Sequence, residues 1–268
     1  MRTSKTPAKQ TVGILGGMGP EATLDLLQRV INLTPAQADE DHIRMVIDCD
    51  PAIPSRIKAI IEGSGPSPAP ALIAMAKGLI HQGADFLAIP CNTAHHYIGE
   101  ITAASAVPVV NMLDNAALRV HGAAPGAHRV GLLASTAIQI TSLYDRPFAA
   151  RDKTLVFPDA SSQERLMALI MMIKGKRAEA NTAELLDCAQ GLIAQGADCL
   201  LIACTELSLL ADTLAQLPVP VFDSADLLAR EIVARALGEA AHDGQPNASG
   251  GIGNGIAPAE SRSPHTHQ

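Results

Sequence analysis

The sequence predicts an α/β protein of two similar halves, each built on a parallel sheet. Three observations predict it. Short apolar runs alternate with longer segments of helical periodicity, the pattern of parallel strands joined by covering helices. The wording of the chain also repeats: residues 79–91 and 192–204 share nine identities in thirteen positions, 113 residues apart. VPV recurs at 107 and 219, and VGxL at 12 and 130. Lastly, each copy of the long repeat ends its strand with a cysteine, Cys91 in one and Cys204 in the other.

The elements follow in order. MRTSKTPAKQ (1–10) is polar and basic without a following apolar stretch, so it reads as a disordered lead and not a signal peptide. TVGILGG (11–17) is a buried strand that ends in glycines. GPEATLDLLQRVINL (19–33) is a helix with Pro20 suited to its first turn. RMVIDC (44–49) is the second strand, SRIKAIIEG (55–63) a short helix, and GSGPSPAP (63–70) a turn-rich loop. ALIAMAKGLIHQG (71–83) is a helix, ADFLAIP (84–90) the third strand and VPVVNM (107–112) the fourth. The second half repeats this order, with strands at RVGLLAS (129–135), KTLVFP (153–158), ADCLLIA (197–203) and VPVF (219–222). SADLLAREIVARALGEAAH (224–242) is a last helix with Ser224 as its N-cap. Residues 243–268 are rich in Gly, Pro, Asn and Ser and read as a disordered tail.

Composition narrows the function. The chain has 268 residues, 47% hydrophobic but only 2% aromatic, so its core is aliphatic. A net charge of −7 and no basic run argue against nucleic acid or an anionic membrane as partner. No apolar run approaches the ~20 residues that span a bilayer. Five cysteines without framework spacing predict a cytoplasmic protein with reduced thiols.

In open α/β sheets ligands sit at the carboxyl ends of strands, where Cys91 and Cys204 both fall. If the halves face each other, the two thiols enter one cleft from opposite sides. Inverting a stereocentre by proton transfer needs a base on one face and an acid on the other, and a thiolate and a thiol can serve. Cys49, Cys188 and Cys199 read instead as small buried hydrophobes. A Cys91–Cys204 disulfide would fill the cleft, and a substrate between the thiols implies a separation beyond the ~7 Å Cα limit. Asn92 and Thr93 follow one thiol, Thr205 and Glu206 the other, at positions that begin helices. Their backbone N–H groups and side chains fit a carboxylate; capping is the alternative for each. Glu206 fits a substrate ammonium or simply favours the helix start. GGMGPEA (16–22) lacks the spacing of a phosphate-binding loop and suits a small carboxylate as well as a nucleotide. His95 and His96 have poor spacing for zinc and read as structural; His265 and His267 lie in the tail. Arg56 and Lys174 are candidate cations for a carboxylate, and by residue type alone each also fits a surface charge.

Together GILGGMGPEAT, PCNTAH and ACTEL resemble the cofactor-independent aspartate/glutamate racemase family over residues 12–240. The second motif continues Cys-Thr-Glu-Leu where glutamate racemases of cell-wall synthesis usually have Cys-Thr-His-Tyr-Pro, which favours the aspartate branch. The resemblance implies an isomerase that uses neither pyridoxal phosphate nor metal, commonly a homodimer. It implies Cys91 and Cys204 as the acid/base pair. It also implies Met18, Asn92, Thr93, Thr205 and Glu206 as substrate-binding residues, joined by Thr136. IPSR matches the family's arginine segment, giving Arg56; MMIKGKR matches its lysine segment more loosely, giving Lys174 with Lys176 as rival. The resemblance also implies two α/β domains, residues 11–113 with 224–242 and residues 114–223, related by a pseudo-twofold axis. The active site is then expected in the cleft between them, with the last helix crossing back onto the first domain. The function expected is interconversion of L- and D-aspartate. Alternatives keep the thiol pair with glutamate, another amino acid or a related acid, as in maleate isomerases and hydantoin racemases. A non-catalytic small-ligand sensor on the same fold, and remotely a nucleotide-binding module, are the other readings.

Overall fold

The computed structural model describes residues 9–175 and 182–239. In chain order the elements are β1 (Val12–Gly16), α1 (Pro20–Leu33), β2 (Met45–Cys49), α2 (Ala69–His81), β3 (Phe86–Ala88), α3 (Ile98–Ala104) and α4 (Met112–Ala123). They continue with β4 (Arg129–Ala134), α5 (Thr136–Thr141), α6 (Asp145–Ala149), β5 (Thr154–Val156), α7 (Ala160–Lys174) and α8 (Thr182–Ala194). The last are β6 (Cys199–Ala203), β7 (Val221–Asp223) and α9 (Ser224–Leu237). A π-helical turn spans Lys58–Glu62, and 3₁₀ turns span Thr93–Tyr97 and Leu207–Leu214.

Two parallel sheets form, ordered β2-β1-β3 and β5-β4-β6-β7. Strand β1 holds the place in the first sheet that β4 holds in the second. The register repeats too: Gly13 pairs with Leu87 as Gly131 pairs with Leu200. The QGAD repeat has a physical cause in both halves. Gly83 and Gly196 adopt φ of 93° and 89° to turn the chain out of α2 and α8. Asp85 and Asp198 then accept from the backbone N–H of Thr11 (2.7 Å) and Arg129 (2.8 Å), tying each new strand to its central neighbour. The VPV repeats end in equivalent caps: Asn111 accepts from Leu113 and Asp114 N–H groups at the start of α4, and Asp223 accepts from Ala225 N–H at the start of α9.

The cores are aliphatic. Leu72, Leu79, Leu87 and Ile101 pack on one face of the first sheet, while Val12, Ile14, Leu26 and Val30 pack on the other. Each fully buried side chain of this kind contributes roughly 1.5–3 kcal/mol. Helix α9 brings Leu228, Ile232 and Val233 onto that second face, so the end of the described chain covers the first sheet.

Four expectations need correction. The strand expected at 107–112 is reduced to a single Leu87–Val109 bridge. The bridge is closed by Leu87 N–H to Pro108 O and Val110 N–H to Leu87 O, and Asn111 then caps α4. The N-cap of α9 is Asp223 and not Ser224. That helix stops at Leu237, where Gly238 at φ 71° closes it; residues 240–268, with His265, His267 and the expected tail, lie outside the described residues. Finally, Cys49 is exposed on the edge strand β2, whereas Cys188 and Cys199 are buried. Residues 1–8 of the expected lead also lie outside the described residues, but Gln10 is tied by its N–H to Ala236 O at 2.9 Å.

Candidate active site

The strand ends build the site. After β3 the chain passes Ile89 and Pro90 to Cys91; after β6 it passes directly to Cys204. Both thiols are 7% exposed and line one cavity of about 250 Å³. All five cysteines are free. Asn92, Thr93, Thr205 and Glu206 line the same cavity, with Ser55 and Arg56 from the segment before the π-turn and Ile170, Met171 and Lys174 from the end of α7.

Polar contacts lace the halves together around the thiols. The Thr205 hydroxyl donates to Pro90 O at 3.2 Å. Thr93 Oγ1 lies 3.4 Å from Ser135 Oγ. The Tyr144 hydroxyl donates to Asn92 Oδ1 at 2.6 Å, and Asn92 Nδ2 donates to Ser224 Oγ at 3.1 Å. Burial raises the Tyr144 phenol far above its ordinary range, so it acts as a neutral donor. The segments after both cysteines are 3₁₀ turns and not the α-helix starts expected, with Ile98 opening the first α-helix beyond Cys91.

The charged groups are arranged unequally. The Cys204 thiol donates to Glu206 Oε2 at 3.1 Å, and Glu206 Oε1 pairs with Lys174 Nζ. Burial and then the Glu206 charge push the Cys204 thiol well above its ordinary value, against the opposing pull of Lys174. Burial works against the Lys174 ammonium, but Glu206, Cys204 and Cys91 outweigh it and raise its pKa. Arg56 Nη1 donates to Pro54 O at 3.0 Å, which fixes the guanidinium at the cavity wall.

His95 is buried and structural. Met112 N–H donates to its Nε2 at 3.1 Å, so Nδ1 carries the hydrogen and donates to Cys91 O at 2.9 Å. Burial lowers its pKa and keeps it neutral. His96 is exposed and meets the Tyr97 ring edge-on.

Two expected residues do not line the cavity. Met18 is 2% exposed and packs in the core beside Leu15 and Cys91. Thr136 opens α5, where its hydroxyl accepts from Gln163 Nε2 at 3.2 Å; Ser135, one residue earlier, faces the cavity instead. Lys176 lies outside the described residues. Ser135, Ser55 and Tyr144 were missed in the sequence. Ser135 and Ser55 adjoin residues that were singled out; nothing local to Tyr144 marks it, because its partner Asn92 is 52 residues away.

Among the described residues no group of three or more His, Cys, Asp or Glu side chains is placed to hold a metal, and no helix is long and apolar enough to cross a membrane.

Comparison with known proteins places this arrangement. Residues 15–232 match the model of the family described as Asp/Glu/hydantoin racemase. The broad specificity amino-acid racemase RacX of Bacillus subtilis (strain 168) is 30% identical over 239 residues, 84% of this chain and 98% of that protein. Among solved structures, the Picrophilus torridus aspartate racemase is 31% identical with a TM-score of 0.75, covering 85% of this chain and 94% of that one. The glutamate racemase isoform RacE1 of Bacillus anthracis, 14% identical with a TM-score of 0.61 over 84% of this chain and 80% of its own, shares the fold.

Proposed function

This chain belongs to the Asp/Glu/hydantoin racemase family and is an amino-acid racemase, and from that premise we propose that it interconverts L- and D-aspartate by proton transfer between Cys91 and Cys204. One observation carries the reading: thiols at equivalent positions of two duplicated halves line a single cavity. In the proposed reaction a thiolate on one face takes the α-proton and a thiol on the other face returns one. The pair then exchanges protons with solvent before the next turnover. The carbanion between the two steps carries its charge on the α-carboxylate, which needs fixed donors in a site with little water. Asn92, Thr93 and Thr205 supply these, with Asn92 held by Tyr144 and Ser224. Glu206 accepts from the substrate ammonium, and Arg56 and Lys174 meet the side-chain carboxylate.

Aspartate is favoured by the two cations on the cavity wall and by the likeness to the Picrophilus torridus enzyme. A broader substrate range is the second reading, favoured by the apolar lining of Ile53, Ile57, Ile170 and Met171 and by the likeness to RacX. As proposed, the protein works on free amino acids in the cytoplasm as a homodimer, without cofactor, and sedimentation would check the assembly.

The test is a chiral assay of purified protein with each amino acid in D₂O, with chelator present and thiols reduced. L-Aspartate should yield D-aspartate carrying deuterium at the α-carbon. Faster turnover of apolar amino acids would favour the broader reading, and no racemisation of any amino acid would overturn the thiol mechanism.

A further inference from the structure

We propose that Glu206 is a positioning residue that holds Cys204 in its protonated form in the free enzyme, leaving Cys91 as the resting base. The inference rests on the reading of the two cysteines as the proton-transfer pair. It comes from a place beside the thiols where the halves stop matching. Cys91 and Cys204 occupy equivalent positions, yet two residues further on the first half has Thr93 and the second has Glu206. The Thr93 hydroxyl turns to Ser135. Glu206 turns back, and its Oε2 accepts from the Cys204 thiol at 3.1 Å.

A carboxylate accepts this hydrogen bond only while the sulfur keeps its proton; a thiolate there would face a second anion in a buried site. Lys174, at the end of α7, pairs with the other oxygen of Glu206. The remaining charged or titratable groups on the cavity wall are Arg56 and Cys91. Lys174 opposes the effect of Glu206 on Cys204, so the carboxylate and the ammonium act on this thiol with opposite signs.

The free enzyme is therefore one-handed. It accepts the enantiomer whose α-hydrogen faces Cys91: that proton moves to the Cys91 sulfur, and the Cys204 proton moves to the opposite face of the carbon. Cys91 is then a thiol and Cys204 a thiolate beside Glu206. Solvent returns a proton to Cys204 and takes one from Cys91, restoring the resting form. The other enantiomer reacts only with the reversed protonation state.

Iodoacetamide alkylation across pH, read at each cysteine by peptide mass spectrometry on the full chain without substrate, separates the two thiols. In the unaltered protein Cys91 should reach half-maximal rate at a lower pH than Cys204. Glu206→Gln should lower the Cys204 midpoint by about one pH unit, a tenfold gain in thiolate at fixed pH, and move Cys91 much less. Lys174→Met should raise the Cys204 midpoint, a change of opposite sign that mere loosening of the site would not give. If Glu206→Gln does not fold by circular dichroism, the order of the two thiols and the Lys174→Met shift decide the matter. Cys204 labelling first, an unmoved midpoint in Glu206→Gln, or shifts of the same sign in both variants would overturn the inference. Alkylation needs no turnover. A protein that fails the chiral assay but shows these shifts loses only the assigned reaction, and a racemase without them loses only this role for Glu206.

Discussion

Cys91 and Cys204 share depth and position, so the proposed chemistry predicts that neither can be spared. Cys91→Ser and Cys204→Ser should each lower racemisation by about 10³-fold or more, the scale of losing a positioned acid or base, measured by chiral chromatography. Either variant could still exchange the α-hydrogen of one enantiomer with solvent, and full activity in either would remove that thiol from the reaction. Arg56→Ala should raise KM for aspartate by about tenfold, equivalent to ~1.4 kcal/mol, while barely altering turnover of an apolar amino acid. His95 makes a different prediction, of stability against pH. Its folded pKa lies below the unfolded value of about 6.5 because burial disfavours the imidazolium. The native state then binds fewer protons, so its contribution is complete above about pH 6.5 and is lost as pH falls below that. Thermal melts should drop from about pH 7 to about pH 5, and His95→Gln should flatten that dependence while lowering stability at neutral pH. An unchanged slope would count against His95 as its source. Recurrence at equivalent ends of the repeat, not residue type, marked the two cysteines among the five. Arg56 and Lys174 could have been solvated charges, and only the cavity wall brings them to the thiols.

The elements explain why the repeated words are where they are. Gly131 sits under β6 so closely that an added Cβ would stand 2.6 Å from Leu200 Cδ2 and 3.1 Å from Ala197 Cβ and Leu192 Cβ. Gly13 meets Leu87, Ala84 and Leu79 in the same way at 2.7, 2.8 and 3.1 Å. The leucine Cδ2 atoms end flexible side chains, but the Cβ atoms of Ala197, Leu192, Ala84 and Leu79 move only with their backbone. Gly131→Ala should therefore cost about 1–3 kcal/mol by overpacking, seen as a lower urea midpoint with unchanged slope. A midpoint equal to that of the unaltered protein would show that the sheet yields there. Strand positions were legible because apolar runs bounded by Gly, Pro and Asp can hardly fold otherwise. The shortening at 107–112 was not, since the same VPV wording leads into β7, which does pair with β6. Helix α7 shows the same limit. Ile170, Met171 and Lys174 share a face by helical spacing, but nothing along the helix says that this face meets the cavity.

Across the whole molecule, Arg29 joins the two halves. From α1 its Nη1 pairs with Asp223 Oδ2 at 3.0 Å, and its Nη2 donates to Ser208 O at 3.2 Å in the turn that follows Cys204. Burial raises the Asp223 pKa against the pull of Arg29, so the ionised carboxylate depends on that cation. Arg29→Met should destabilise the protein by ~2 kcal/mol at pH 8, given the partial exposure of the arginine. The loss should shrink as pH falls through the carboxylate range, since a neutral Asp223 needs no partner; urea denaturation at pH 8 and pH 5 would check it, and an equal loss at both would exclude this cause. By itself the sequence determined the α/β class, the duplication, the family and the two thiols. Those properties are written in local periodicity, in turn residues with fixed backbone demands, and in words short enough to repeat intact. Only the tertiary structure decided that both thiols share one cavity, that Ser135 replaces Thr136 at its wall and Met18 lies outside it, and that Glu206 binds one sulfur while Thr93 ignores the other. These depend on distances between segments far apart in the chain, which packing sets and no local pattern encodes.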